Sequence, residues 1–178
     1  MVHNNFFSSS SIFGDDVVKE FQSGTTVMDI AKSIGMGLYK AACLAKIDGE
    51  TCDLRTPVTK DCHVEILTFD DEDGKKAFWH TTSHILAQAV KRLYPSAKLA
   101  IGPSIANGFY YDFDVDFSFT PKILEKIEAE MKKIVKENIP LEQFDLSADE
   151  ALKLMEEKDE PYKVELIKEH AGKGEKIS

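Results

Sequence analysis

The chain has 178 residues, 43% of them hydrophobic and 30% charged, with a formal net charge of −9. This is the balance of a globular chain with room for one good-sized domain or two small ones, and it excludes a protein that holds nucleic acid by bulk attraction. If RNA is a partner, contact is expected from a local patch or from another part of a longer protein. No apolar run approaches the ~18 residues of a membrane span. Met1 to Ile12 carries no Lys or Arg and no continuous apolar stretch, so no signal peptide is expected and the expected compartment is the cytoplasm. Cys43, Cys52 and Cys62 are odd in number and lack C-x-x-C spacing, which disfavours a disulfide framework and a zinc ribbon; each reads as a small, half-buried strand residue.

Residues 1–12, with His3, Asn4, Asn5 and the run Ser8 to Ser11, read as a loose or appended end. A first unit is expected over 13–69. Val17 to Phe21 is a short strand candidate stopped by Ser23-Gly24. Thr25 or Thr26 can cap a helix carrying Val27, Met28, Ile30, Ala31 and Ile34. Ala41 to Ile47 reads as a strand followed by the tight-turn pair Asp48-Gly49. Asp61 to Phe69 alternates, with Val64 and Ile66 on one face and Glu65 on the other. Strands around one short helix make a small α+β module. Residues 70–76, Asp70-Asp71-Glu72-Asp73-Gly74-Lys75-Lys76, lack apolar side chains and are expected to be a solvated linker.

The second unit, 77–178, opens with a helix from about Ala77 to Leu93, stopped by Tyr94-Pro95. Gly102-Pro103 and Asn107-Gly108 punctuate the next stretch, and Phe109 to Phe113 reads as a strand. Thr120-Pro121 opens a long helix whose apolar residues keep helical spacing to Asn138. Ser147-Ala148-Asp149-Glu150 is a capping box for another helix. Glu169 to Lys176 is polar and glycine-containing, and no closing element follows it, which suggests a longer parent protein.

The residues with most to say about chemistry are His80 and His84, in Trp79-His80-Thr81-Thr82-Ser83-His84. At about 100° per residue, Phe78, Ile85, Leu86, Ala89 and Leu93 form one apolar stripe, and His80, His84, Ala87 and Lys91 fall roughly opposite. The i,i+4 spacing stacks both imidazoles on one face. Three readings stay open: a solvent-exposed pair, two ligands of a metal site, or a polar pocket holding a substrate or a water. A zinc site needs at least three protein ligands, and Thr81 stands where H-E-x-x-H would have its glutamate.

No phosphate loop, dinucleotide fingerprint or G-x-S-x-G elbow is present. Tyr110 and Tyr111, on a strand, would point to opposite faces, leaving one free for a site. Lys163, in Glu160-Pro161-Tyr162-Lys163, follows a turn and by itself reads as a surface lysine.

Taken in order, these segments resemble the amino-terminal half of bacterial-type threonyl-tRNA synthetases. Gly24-Thr25-Thr26-Val27-Met28-Asp29-Ile30-Ala31 is similar to the helix opening of the family's TGS domain, a β-grasp module. Phe78-Trp79-His80 through His84-Ile85-Leu86-Ala87-Gln88-Ala89, Ile101-Gly102-Pro103, Asn107 to Phe113 and Glu160-Pro161-Tyr162-Lys163 resemble its editing domain. The resemblance runs over about residues 17–178. It implies an α+β chain: a TGS domain over 13–69, then an editing domain lacking its C-terminal side. Asn4 to Phe13 departs from the family's regular first strand.

The family attaches threonine to tRNA(Thr) with ATP and hydrolyses mischarged seryl-tRNA(Thr) in the editing domain. By motif, the resemblance implies catalytic roles for His80, His84 and Lys163, and substrate contacts for Tyr111 and Gly102, positioning a water and the ester. The family completes this site with a downstream C-x-x-x-H segment beyond residue 178, so this chain is expected to be inactive by itself. No metal or cofactor is implied for it; ATP, Mg and Zn, and homodimerisation through the catalytic domain, are implied for the parent. The alternatives are a TGS-type module binding RNA or protein, and a stand-alone zinc-dependent editing protein.

Overall fold

The computed structural model describes residues 6–13, 15–105, 107–140, 142, 144–171 and 177, with side chains from residue 18 onward. The chain divides into two compact units, Met1–Trp79 and His80–Ser178.

In the first unit the strands are β1 (Phe6–Phe13), β2 (Asp15–Gln22), β3 (Thr25–Thr26), β4 (Ala42–Ile47), β5 (Glu50–Cys52), β6 (Pro57–Val58) and β7 (Cys62–Thr68), with helices α1 (Val27–Ile34) and α2 (Met36–Ala41) between β3 and β4. Five strands form a mixed sheet in the order β2-β1-β7-β4-β5, in which β1 and β7 are parallel and the other pairs antiparallel. A local signal starts α1: the Thr26 hydroxyl accepts from the Asp29 amide at 3.2 Å and donates to the Asp29 carboxylate at 2.7 Å, satisfying one of the free N–H groups of the first turn. The helix lays Val27, Ile30 and Ala31 on Ala45, Val64 and Ile66 of the sheet, with Val58 beside them. Each fully buried Val or Ile contributes about 1.5–3 kcal/mol. Asp48 (φ 52°) and Gly49 (φ 86°) make the β4–β5 turn, both in the left-handed region that a two-residue hairpin requires.

Two expectations change here. Phe6–Phe13, expected to be loose, is a strand, since the eight residues of β1 register against Gln22–Asp15 of β2 while Ser9–Ser11 pair with Cys62–Val64 of β7. Pairing on both sides offsets the weak strand preference of serine; residues 1–5 lie outside the described residues. The expected linker at 70–76 is largely helical, because α3 runs Glu72–Leu93 rather than beginning near Ala77. Its start is fixed by Asp71, whose carboxylate accepts from the Thr68 amide at 2.7 Å while its carbonyl accepts from the Lys75 amide at 2.8 Å. Glu72 and Asp73 in the first turn suit the helix dipole. Asp73 also pairs with Lys46 at 2.9 Å.

The second unit takes α3 from His80 onward, then β8 (Lys98–Leu99), β9 (Ser104–Ile105), β10 (Gly108–Phe109), β11 (Phe113–Asp114), α4 (Pro121–Glu137), α5 (Ala148–Glu157) and α6 (Pro161–Ala171). β9 pairs with β10 and β8 with β11, each antiparallel. The core joins Ala89 and Val90 of α3 to Ala97 and to Ile127 and Ile134 of α4. Thr120 caps α4 with Pro121 in its first turn, and Ser147 and Glu150 close a reciprocal capping box on α5. The strand expected over Phe109–Phe113 is broken: Tyr110 to Asp112 leave the ladder, and Asp112 exchanges backbone bonds with Ala100 (3.1 Å) and Ile101 (2.9 Å). Glu169 to Ala171, expected in a polar tail, end α6. Ile177 bridges to Leu146, and residues 172–176 lie outside the described residues. No helix among the described residues is long and apolar enough to cross a membrane.

Candidate functional site

The site is built in the second unit from α3, the Tyr110–Asp112 segment and α6. One turn separates His80 and His84 on α3, and their Nε2 atoms approach to 3.0 Å with the rings edge to face. A single proton fits between two such nitrogens, so one ring donates Nε2–H and the other accepts through a bare Nε2. The His84 residue is open to solvent, yet partial burial of its ring, then His80, then Lys163 hold its pKa below the ordinary histidine value.

His84, Lys91, Tyr111, Glu160 and Lys163 line one cavity of about 940 Å³, whose other walls are mainly apolar side chains of α5, α6 and their flanks, among them Leu154, Met155 and Ile167. The helix face expected to hold His84, Ala87 and Lys91 is the face that lines it; His80 stands beside His84 outside the lining. Lys163 is not the surface lysine that its local sequence suggests. It projects from the first turn of α6, half-buried, and its Nζ donates to the Ala100 carbonyl at 3.0 Å. Burial pulls its pKa down and Glu160 partly restores it.

Tyr111 stacks on Phe113, with ring centroids 4.7 Å apart, and presents its phenol to the cavity. Burial, then Glu160, raise its pKa, which keeps the hydroxyl protonated and able to donate. Tyr110 is 46% exposed, so the tyrosine available to this cavity is Tyr111. Gly102 does not line the cavity. A Cβ there would stand 2.1 Å from Tyr111 Cδ2, so the missing side chain makes room for the Tyr111 ring.

Among the described residues no group of three or more His, Cys, Asp or Glu is arranged to hold a metal. The described lining also contains no Ser, Thr or Cys. The cavity therefore offers proton donors and acceptors at one side of an apolar hollow, where each polar contact is stronger than in water, but no side chain suited to attack as an activated hydroxyl or thiol. Sequence reasoning gave Glu160 no role, although it is 6% exposed and bonded to Lys91 at 2.6 Å. The available signal was a carboxylate just before an α6 proline, with Lys91 on the histidine face.

The first unit defines the class. Residues 14–68 match the TGS domain family, and the mixed sheet holding one helix against its face is the β-grasp architecture within an α+β chain. Over 87–92% of its length the chain is homologous to the amino-terminal part of threonine–tRNA ligases. It is 62% identical over 155 residues to the threonine–tRNA ligase of Clostridium acetobutylicum, covering 87% of this chain and 24% of that protein. It is 63% identical over 164 residues to that of Clostridium botulinum strain Hall, covering 92% and 26% respectively. With that of Clostridium tetani the identity is 60% over 164 residues, again 92% and 26%. The chain thus spans about a quarter of the length of these relatives.

Proposed function

We propose that residues 80–178 are the amino-terminal portion of a tRNA-editing domain and that their cavity takes the 3′ end of tRNA(Thr) carrying serine. The observation that carries this reading is the convergence of His84, Tyr111 and Lys163 on one largely apolar cavity whose described lining holds no Ser, Thr or Cys. Water attacks the ester carbonyl carbon, the bond from that carbon to the ribose oxygen breaks, and a proton passes to the ribose oxygen, releasing serine and tRNA. His84, held neutral, and His80, sharing its proton, orient the water. Lys163 and the Tyr111 hydroxyl hold the ester and the terminal nucleoside, and Gly102 acts through Tyr111. Positioning of this kind supplies much of the rate where no covalent intermediate forms.

The physical need for a second, hydrolytic site is a size argument. Serine is one methyl smaller than threonine, and rejecting a smaller ligand by one methyl group is worth only about 1–3 kcal/mol. The parent protein, in this proposal, joins threonine to tRNA(Thr) in the cytoplasm with ATP and Mg, carries zinc in its catalytic domain and forms a homodimer through that domain.

The test is a chimera joining this chain to the remaining sequence of the Clostridium acetobutylicum ligase, assayed for deacylation of seryl-tRNA(Thr) beside threonyl-tRNA(Thr). Faster hydrolysis of the serine ester is expected, falling about a hundredfold in His84→Ala with threonine charging unchanged. Equal hydrolysis of both esters, or full activity in His84→Ala, would overturn the reading. The 178-residue chain alone is expected to deacylate poorly.

A further inference from the structure

Glu160 is a buried carboxylate with more than one partner, and every partner belongs to the cavity's frame. One oxygen takes the Lys91 ammonium of α3 at 2.6 Å, and the other accepts the Leu99 amide of β8 at 3.1 Å. The side chain is 7% exposed, against 30% for Lys91. Lys91 also donates to the Ala97 carbonyl at 2.8 Å, which ties the same ammonium to the turn before β8. The Glu160 backbone begins α6: its carbonyl accepts the Lys163 and Val164 amides, each at 3.1 Å, and its own amide donates to the Met155 carbonyl of α5 at 3.0 Å. Lys163, one turn later, reaches back to Ala100, the residue after β8. Four elements therefore meet at one acidic residue.

We propose that Glu160 is the positioning residue of this cavity: its carboxylate clamps α3 and β8 to the start of α6, and so fixes where the Lys163 ammonium stands. A buried carboxylate is costly unless it is paired and hydrogen-bonded, and here both oxygens are satisfied. Its neighbour Asp159 makes a contrast. Asp159 pairs with Lys98 at the surface, with 84% of its side chain exposed, and lies outside the cavity lining. The inference rests on the editing reading only for the reaction that the cavity serves; the clamp itself stands on geometry.

The groups lining the cavity with Lys163 are Glu160 and His170, Lys158 at the end of α5, His84 and Lys91 on α3, and Tyr111. Of these, Glu160 is the carboxylate that sustains the Lys163 charge against burial. The experiment is a lysine-resolved NMR titration of the 178-residue chain, with the Lys163 signal assigned by its loss in Lys163→Arg. In Glu160→Gln the Lys163 midpoint moves to lower pH, whereas Asp159→Asn leaves it in place. A folded Glu160→Gln with an unmoved Lys163 midpoint overturns the proposal.

Should Glu160→Gln not fold, Glu160→Asp decides: the shorter carboxylate no longer reaches the Leu99 amide that Glu160 binds at 3.1 Å, so the Leu99 amide signal moves, and an unmoved Leu99 amide overturns the clamp. In the chimera, Glu160→Gln lowers deacylation by about tenfold or more and leaves threonine charging intact. A shifted Lys163 titration in a chimera that never deacylates counts against the editing reading and not against the clamp.

Discussion

His80 and His84 share one proton between Nε2 atoms 3.0 Å apart, so the two imidazoles cannot both be charged without separating. Desolvation, the His80 ring and Lys163 all disfavour the charged form of His84. The folded chain therefore binds this proton less readily than the unfolded one, and stability falls as the pH drops through the unfolded histidine value of about 6.5 toward the lower folded value. Urea midpoints at about pH 8 and about pH 5.5 are expected to differ more for the parent chain than for His84→Gln, in which that proton is absent. Equal acid losses in the two proteins would show that the pair does not resist protonation.

Ser147 and Glu150 form the reciprocal cap of α5, with the Ser147 amide donating to the Glu150 carboxylate at 3.0 Å and the Glu150 amide donating to the Ser147 hydroxyl at 3.3 Å. α5 supplies Ala151, Leu154 and Met155 to the cavity wall. Ser147→Ala is expected to cost about 1 kcal/mol, read as a lower urea midpoint. Ser147→Asp, which keeps an acceptor at the cap, is expected to retain most of it. Indistinguishable midpoints for all three proteins would show that the cap is dispensable.

Legibility in the sequence followed the range of the interactions. Thr26, Thr120 and Ser147 announce their helices because a cap is read within four residues, and Asp48-Gly49 announces its hairpin because its backbone demands are local. β1 was hidden because Ser8 to Ser11 favour no strand locally; partners on β2 and β7 decide it. In the site, the shared face of His80 and His84 was readable from spacing alone, whereas Tyr111 and Lys163 emerged only through the order of motifs along the chain. Glu160 had only an indirect signal, its place before the α6 proline, because Lys91 and Leu99, which make its burial tolerable, lie far away in sequence.

Gly74 sat in what composition marked as a solvated linker, yet it is buried in the first turns of α3. A Cβ there would stand 2.0 Å from the Thr68 carbonyl oxygen. Alanine normally favours a helix over glycine by about 1 kcal/mol. Here the obstructing atom is backbone and cannot swing aside, so Gly74→Ala is expected to lose about 1–3 kcal/mol, seen as earlier unfolding of the first unit in hydrogen exchange. A stabilised Gly74→Ala would mean that the close approach is not maintained in solution.

Gly102 and Tyr111 make the corresponding case in the second unit, with the difference that the obstacle is a side chain. The space a Cβ would need at Gly102 is taken by Tyr111 Cδ2 at 2.1 Å and Cε2 at 2.4 Å. Gly102→Ala must therefore push the ring from its stack on Phe113, at an expected loss of about 1–3 kcal/mol. Tyr111→Ala alone also destabilises, through the lost stack and the space left behind. The informative quantity is the coupling between them: with the ring removed, alanine at position 102 meets no ring, so the double variant should be little worse than Tyr111→Ala. Urea unfolding of the four proteins measures it. Additive losses would show that Gly102 answers to something other than the Tyr111 ring, and would remove its place in the site.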